Sequence, residues 1–143
     1  MTNQIFRRLT TTPQMMSVFD DAGILQAMLD FEKALAAAQS KCNIFEPSIA
    51  NTIAECCQIS EFSISDLSES ASRHGTIVVP LVQKLTKLVA FKDQAASDWV
   101  HHGATSQDVI DTAMIIQIKK GLTIIEGDIG RLTFGLESLI IKY

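Results

Sequence analysis

The sequence predicts an all-α fold, and two observations indicate it. Apolar residues recur at helical spacings of three and four along the 143 residues, whereas no stretch keeps the alternation typical of a β-strand. Residues that commonly begin a helix also stand before the apolar runs, at Asp20, Pro47 and Pro80. We therefore expect consecutive helices, the last of which is much longer than the others.

Two helices are predicted in the first third of the chain. Asp20 and Asp21 can cap a helix whose inward positions repeat at steps of four and three: Ile24, Met28, Phe31, Leu35 and Ala38. Pro47 suits the first turn of the next helix, because a first-turn N–H has no partner within the helix. Its predicted inward face carries Ile49, Ile53 and Cys56.

The middle of the chain predicts a connector and two further helices. The serine-rich run 60–72 is typical of a connector followed by one short helix, which Gly75 is well placed to end. Pro80 is predicted to begin the next helix, with an inward face of Leu81, Val82, Leu85, Leu88 and Val89.

The C-terminal stretch predicts one helix over about 107–142, roughly 54 Å long at 1.5 Å per residue. A coiled-coil-like seam runs along it, headed by two carboxylates: 108, 111, 115, 118, 122, 125, 129, 132, 136, 139 and 143. Four of the seven glycines, Gly121, Gly127, Gly130 and Gly135, lie in this segment, and each costs up to about 1 kcal/mol relative to alanine. Partner helices packed along the seam must therefore sustain the helix, and the glycines would let them approach closely.

The chain ends at Tyr143, on the seam itself. A single rod cannot bury its own apolar stripe, so we expect either an N-terminal fragment of a longer protein or a chain that depends on other subunits. The predicted organisation is an N-terminal helical domain over 1–104, followed over 105–143 by the truncated start of a helical bundle.

Composition and charge exclude several classes of protein. Twelve basic against sixteen acidic residues give a net charge of −4, which disfavours a nucleic-acid partner. No apolar run is long enough for a membrane span, and the first residues do not resemble a signal peptide. Cys42, Cys56 and Cys57 lack the spacing of a metal site and predict three buried or half-buried thiols in a cytoplasmic protein.

Chemically useful residues concentrate in the segment 99–113, where a loop leads into the long helix. It holds two of the three histidines, His101 and His102, beside hydroxyl and carboxylate side chains. Free N–H groups and the dipole of a helix N-terminus favour anions there. The alternative is that Thr105 and Asp108 only form a capping box that starts the helix. The sequence leaves both interpretations open, and also which of the two histidines faces a site.

The third histidine lies in the run Ser72-Arg73-His74-Gly75. Arg73 and His74 are residues that a helix C-terminus prefers, and this role would explain them without any ligand. Alternatively, they form a cationic anchor for a carboxylate-rich substrate, with an imidazole suited to proton transfer near neutrality. Spacing does not decide between these two interpretations.

Three segments, in the right order and spacing, resemble conserved regions of the fumarase/aspartase superfamily. The first conserved region of that superfamily is similar to His101-His102-Gly-Ala-Thr-Ser-Gln-Asp-Val-Ile-Asp-Thr-Ala113. The segment 72–75 is similar to the substrate-binding turn that precedes this region in the superfamily. The segment 13–35 is similar to the superfamily's opening helix. Within the superfamily, the run Trp99-Val-His-His-Gly-Ala-Thr-Ser-Gln-Asp108 most resembles the 3-carboxy-cis,cis-muconate cycloisomerase branch.

The resemblance implies a cytoplasmic homotetramer, assembled through the 107–142 helix, with each active site drawn from three subunits. It assigns His101 a catalytic role and gives Arg73, His74, Thr105 and Ser106 to substrate binding. The implied reaction is a reversible lactonisation, or β-elimination, of a tricarboxylate in aromatic (protocatechuate) degradation. The implied partner is this small carboxylate-rich substrate, and no metal or organic cofactor is implied.

Two alternatives are kept. An adenylosuccinate lyase or another β-elimination lyase of the superfamily is disfavoured, because Leu9 and Thr10 stand where adenylosuccinate lyases carry a phosphate-binding Arg-Tyr pair, with Arg7 and Arg8 displaced. The turn 73–75 also lacks the carboxylate of the family's Arg-His-Asp. The other alternative is an inactive, truncated helical oligomerisation module. Further catalytic regions of the superfamily would lie beyond Tyr143, so the chain alone is expected to be inactive.

Overall fold

The computed structural model describes residues 9–143, a range that excludes Arg7 and Arg8, and within it we find helices but no strand. The all-α prediction is confirmed. Seven α-helices and one 3₁₀ turn (Ile59–Glu61) follow one another: α1 Pro13–Val18, α2 Asp21–Lys41, α3 Pro47–Cys56, α4 Ile64–His74, α5 Val78–Lys92, α6 Gln94–Ser97 and α7 Ser106–Lys142. In this part of the chain no helix combines the length and apolarity needed to cross a membrane.

The helix boundaries follow the local signals with one small correction. Asp20 caps α2 by accepting the N–H of Gly23 at 2.7 Å, and Gly75 ends α4 in the left-handed conformation with φ of 69°. Helix α5 begins at Val78, two residues before the predicted start at Pro80. Pro80 is tolerated there because first-turn N–H groups have no intrahelical partner.

Helix α2 lies at the centre of the fold, packed between α3 and α7. Its inward face was predicted one position out of register. Ala38 is exposed, and Ile24, Phe31 and Leu35 are only half-buried. The buried residues are Leu25, Ala27, Met28, Leu29, Glu32 and Ala36. Two neighbouring helices bury a wider arc of α2 than a single stripe would need, and that arc includes a carboxylate.

The remaining core is apolar and lies under α3 and α5. The α5 side chains of Leu81, Leu85 and Val89 are fully buried, and Ile53 and Cys56 of α3 pack with them. Val82, Leu88 and Ile49 were predicted inward and are half-buried.

The cysteine prediction is correct for two of the three thiols. Cys56 and Cys57 are buried, whereas Cys42 is exposed because it follows the last turn of α2. All three thiols are free of disulfides.

Helix α7 presents two faces with different surroundings. Its first half packs on α1 and α2 through every fourth residue: Val109, Ala113, Gln117 and Gly121. Gln117 donates to the carbonyl of Val18 at 2.6 Å. A Cβ on Gly121 would lie 3.3 Å from Met15 Sδ and from the Phe19 ring, so the expected close approach occurs at this glycine.

The predicted seam lies on a different face of α7 and is solvent-exposed in this chain. Its eight aliphatic side chains are between 41% and 62% exposed: Ile115, Ile118, Leu122, Ile125, Ile129, Leu132, Leu136 and Leu139. Around Gly130 and Gly135 there is open space. The described chain therefore supplies no partner for the seam, which agrees with the expectation that other helices cover it.

Candidate functional site

The loop between α6 and α7 is tied to the central helix α2 at two points. His101 Nδ1 lies 2.6 Å from Glu32 Oε1. The side-chain amide of Gln39 donates to the carbonyl of His102 at 2.7 Å. One contact holds an imidazole ring and the other holds the main chain, so the loop has a fixed position on α2.

The backbone of this loop is turned by two left-handed positions, His101 and Gly103, which are separated by one residue. Gly103 has φ of 72°, which glycine adopts without a steric penalty. His101 has φ of 59°, which costs a residue with a Cβ about 1–2 kcal/mol. Such conformations persist only where surrounding contacts enforce them, and they cluster at functional sites. The turn directs the His101 side chain onto α2.

Glu32 is the least expected member of the site. Its side chain is 1% exposed, and its second carboxylate oxygen, Oε2, has no hydrogen-bond partner among the described residues. Burial raises the pKa of Glu32, while the hydrogen bond and positive potential of His101 act in the opposite direction. Sequence reasoning missed Glu32, which lies next to Phe31 and outside the predicted inward face of α2; the one signal that included it was the resemblance of the segment 13–35 to the family's opening helix.

The two adjacent histidines have separate environments. The His101 side chain is 18% exposed and is held against Glu32. The His102 ring is exposed and meets the Trp99 ring edge-on, with centroids 4.9 Å apart. Trp99 in turn packs on Phe45. Of the two, His101 is therefore the imidazole fixed by a buried partner.

At the start of α7 the capping interpretation of Thr105 is confirmed. Its hydroxyl accepts the N–H of Asp108 at 3.3 Å and donates to Asp108 Oδ2 at 2.7 Å, and the Asp108 carboxylate accepts the N–H of Thr105 at 2.8 Å. These bonds lower the pKa of Asp108 below its usual value. The next hydroxyl, that of Ser106, makes no hydrogen bond to any described residue, so it is the one available to a ligand.

Arg73 and His74 occupy the last turn of α4, as a C-terminal role would require. Arg73 pairs with Glu69 at 2.7 Å on the exposed surface. His74 Nδ1 lies 2.8 Å from the carbonyl oxygen of Ser70. Within residues 9–143, no hydrogen bond or ion pair connects this turn to the loop that carries His101.

The position of α4 along α2 explains that separation. Ile64, Ser68 and Ala71 of α4 line a cavity together with Asp21, Ile24 and Leu25 at the beginning of α2. The His101 loop meets α2 further along, at Glu32 and Gln39. Leu25 and Glu32 are separated by roughly 10 Å along the helix axis. His101, Thr105 and Ser106 thus share one junction, and a common pocket with Arg73 and His74 stays a prediction.

The junction offers groups for binding an anion and moving a proton, and it offers no metal cage. No three His, Cys, Asp or Glu side chains within the described chain lie close enough to hold a metal ion. A fixed imidazole can exchange a proton near neutral pH. A free hydroxyl at a helix N-terminus, beside unpaired N–H groups, can hold a carboxylate.

Comparisons with known proteins give matches along almost the whole chain. A family described as lyase matches residues 7–140. The chain is 37% identical over 143 residues to the 3-carboxy-cis,cis-muconate cycloisomerase of Pseudomonas putida, covering 100% of this chain and 34% of that protein. It is 37% identical over 131 residues to the protein of the same name from Bradyrhizobium diazoefficiens, covering 92% and 29%.

The similarity extends to three dimensions. The crystal structure of the 3-carboxy-cis,cis-muconate lactonizing enzyme from Pseudomonas putida matches with a TM-score of 0.91 at 37% identity, covering 99% of this chain and 32% of that chain. This chain spans about a third of the length of the curated relatives that it matches.

Proposed function

Since the chain belongs to the lyase family of the fumarase superfamily, we propose that a protein containing it is a cycloisomerase acting on 3-carboxy-cis,cis-muconate. The observation that carries the proposal is the 37% identity to the Pseudomonas putida cycloisomerase along the whole chain. The junction of a fixed imidazole, a free hydroxyl and a helix N-terminus supports it, because this combination suits a substrate with several carboxylates.

The proposed reaction adds a carboxylate across a carbon–carbon double bond. A carboxylate oxygen of the substrate forms a C–O bond with one alkene carbon, and a proton is added to the other, which lies next to a second carboxylate. In reverse, that proton is removed and the C–O bond breaks. Negative charge develops next to the carboxylate in both directions, so donors already in place lower the barrier. This chemistry needs no metal or organic cofactor.

Within this proposal each site residue has a distinct task. His101 exchanges the proton with the substrate carbon. Ser106 donates to a substrate carboxylate through its free hydroxyl, Thr105 joins it when its hydroxyl proton turns from Asp108 to the substrate, and Arg73 and His74 bind another carboxylate. Within residues 9–143 no hydrogen bond or ion pair connects the two groups, so the proposal requires copies of the chain to bring complementary regions together.

A homotetramer assembled through α7 would provide those copies. The exposed seam supports this part of the proposal, because eight aliphatic side chains along one face are typical of a helix–helix interface. The three free thiols are consistent with a cytoplasmic, reducing location.

A nucleotide substrate is less well supported. The Leu9 side chain, where an adenylosuccinate lyase would carry arginine, is aliphatic and 77% exposed. An aliphatic side chain cannot bind a phosphate. The other alternative is an inactive oligomerisation module. Turnover of the substrate by the protein that contains this chain would exclude that alternative.

The test is an assay of the protein that contains this chain, with 3-carboxy-cis,cis-muconate and adenylosuccinate as competing substrates. We expect the ultraviolet absorbance of the conjugated diene to fall as the lactone forms, and adenylosuccinate to remain intact. His101→Gln should lower this rate by about a hundredfold or more, as expected when a general acid–base group is lost. Cleavage of adenylosuccinate, or no turnover of either substrate, would refute the proposal.

A further inference from the structure

We propose that Glu32 is a positioning residue, which holds His101 with Nδ1–H directed at α2 and leaves Nε2 to exchange the proton with the substrate. The inference deepens the proposed function and rests on it for the role of His101. It concerns a residue 69 positions away in sequence, in the middle of a helix that otherwise forms the core.

The burial of Glu32 is costly for stability. Removing a carboxylate from water is unfavourable unless it is well paired, and proteins with apolar residues of similar volume in such places are often more stable. Glu32 is 1% exposed, one of its oxygens is unpartnered, and its neighbours on α2 are Leu29 and Ala36. The contact with the His101 imidazole explains why a carboxylate occupies this buried position although its burial is unfavourable.

The two contacts between the loop and α2 hold different parts of the loop. Gln39 holds the main chain through the carbonyl of His102. Among the described residues, Glu32 makes the hydrogen bond that holds the imidazole of His101, which stands on a strained left-handed backbone. Removal of Gln39 would loosen the loop, whereas removal of Glu32 would release the ring and its tautomer.

The contact also has a chemical consequence. A carboxylate that accepts Nδ1–H fixes the neutral tautomer with an unprotonated Nε2, because the partner of one ring nitrogen decides the state of the other. When Nε2 takes a proton from the substrate carbon, the ring becomes a cation with both nitrogens protonated, and the Glu32 carboxylate stabilises it. In lactonisation the ring first takes a proton from solvent at Nε2 and is a cation paired with the Glu32 carboxylate; Nε2 then delivers this proton to the substrate carbon, and the ring returns to the neutral Nδ1–H tautomer.

The first experiment reads the tautomer directly. Nitrogen-15 spectra of the imidazoles, assigned with His101→Gln, should show protonated Nδ1 and unprotonated Nε2 for the neutral His101 ring in the protein that contains this chain. Glu32→Met should shift His101 towards Nε2–H, the tautomer that free imidazole side chains prefer in water. Gln39→Ala is the matched control, because it removes the other contact between the loop and α2, and it should leave Nδ1–H in place.

Three results would overturn the proposal at this stage. One is a neutral His101 ring with protonated Nε2 and unprotonated Nδ1, which would mean that Glu32 donates its own proton to Nδ1. Another is an unchanged tautomer in Glu32→Met. The third is failure of both Glu32→Met and Glu32→Gln to fold, which would make Glu32 a purely structural residue.

The second experiment measures turnover in the protein that contains this chain. Glu32→Met should lower kcat by about ten- to a thousandfold with KM within about twofold, because the ring is mispositioned while substrate contacts remain. Glu32→Gln should retain part of the activity, since its amide oxygen can still accept Nδ1–H. Gln39→Ala should have a much smaller effect.

The two proposals fail in different ways. Absence of turnover in the unmodified protein would refute the proposed function while leaving the tautomer result unchanged. A shifted tautomer with full kcat would refute the positioning role while leaving the cycloisomerase function intact.

Discussion

Thr105 and Ser106 carry adjacent hydroxyl groups at the start of α7, and the two hydroxyls differ in their hydrogen bonds. The Thr105 hydroxyl accepts from and donates to Asp108, so its hydrogen bonds serve the helix end. The Ser106 hydroxyl has no partner among the described residues. The capping interpretation therefore accounts for Thr105, and the ligand interpretation has its clearest candidate in Ser106.

We expect the two alanine variants to separate these two roles. Ser106→Ala should lower turnover by about ten- to a thousandfold, as the loss of a transition-state donor does, with little change in melting temperature. Thr105→Ala should also lower the free energy of unfolding by about 1 kcal/mol, the usual value of a lost cap. Thermal unfolding and steady-state kinetics of both variants check this, with Thr105→Ser as the control that keeps the cap. Full turnover in Ser106→Ala would exclude it from the site.

The buried Glu32 carboxyl group should also make the free energy of unfolding depend on pH. Burial raises the pKa of Glu32 above 4.5, so between pH 4.5 and this raised pKa the folded protein retains a proton that the unfolded chain has released, and at higher pH Glu32 is a carboxylate in both states. The free energy of unfolding should therefore fall as pH rises from 4.5 through the raised pKa. Urea unfolding followed by circular dichroism between pH 4.5 and 8 measures this slope. Glu32→Gln cannot titrate, and it should remove this component; an unchanged slope would contradict the expectation.

At the scale of single elements, α7 offers a test with matched glycines. Alanine is favoured over glycine in a helix by about 1 kcal/mol. Around Gly130 there is open space, whereas a Cβ on Gly121 would lie 3.3 Å from Met15 Sδ and Phe19. Gly130→Ala should slow amide exchange in the surrounding turns by about fivefold. Gly121→Ala must displace α1 side chains, so it should gain less or lose stability. Equal gains at both sites would show that α1 does not pack closely on α7.

Local signals predicted the helix ends because the relevant physics is local. A cap such as Asp20, a proline such as Pro47 and a left-handed glycine such as Gly75 act on backbone groups within a few residues. The inward face of α2 was wrong by one position because it depends on α3 and α7, which are distant in sequence. The local sequence of α2 does not indicate which of its faces α3 and α7 will cover.

In the candidate site, too, the sequence predicted what is local and missed a contact between distant segments. The cluster at 101–106 was visible in the sequence because its residues are contiguous. The contact between His101 and Glu32 was not, because 69 residues separate them and α2 alone gives no reason to expect a loop above it. Whether Arg73 and His74 join this cluster depends on contacts beyond a single chain and stays a prediction.

At the scale of the whole molecule, the exposed seam is the dominant feature. Burying each aliphatic side chain is worth roughly 1.5–3 kcal/mol, so eight exposed ones form a strong driving force for association. We expect the purified chain to be a helical oligomer or to be poorly soluble. Sedimentation velocity combined with far-ultraviolet circular dichroism tests this expectation.

Charge substitutions on and off the seam provide the control. Leu132→Glu, on the seam, should shift the chain towards smaller species. Thr123→Glu, exposed on the same helix but off the seam, should leave the distribution unchanged. A fully helical monomer at micromolar concentration, or equal effects of both substitutions, would contradict the assembly role of the seam.

The continuity of α7 has a further consequence for which sequence changes it can accept. The helix begins at the candidate site and carries the seam without interruption, so its length sets the angular phase between them. Each inserted residue would rotate the seam by about 100° about the helix axis and advance it by about 1.5 Å. An insertion of seven residues returns the phase to within about 20°. The length of the segment between Ser106 and Ile115 therefore fixes the direction of the interface relative to the site: a change in this length by one residue would turn the interface away from its partners.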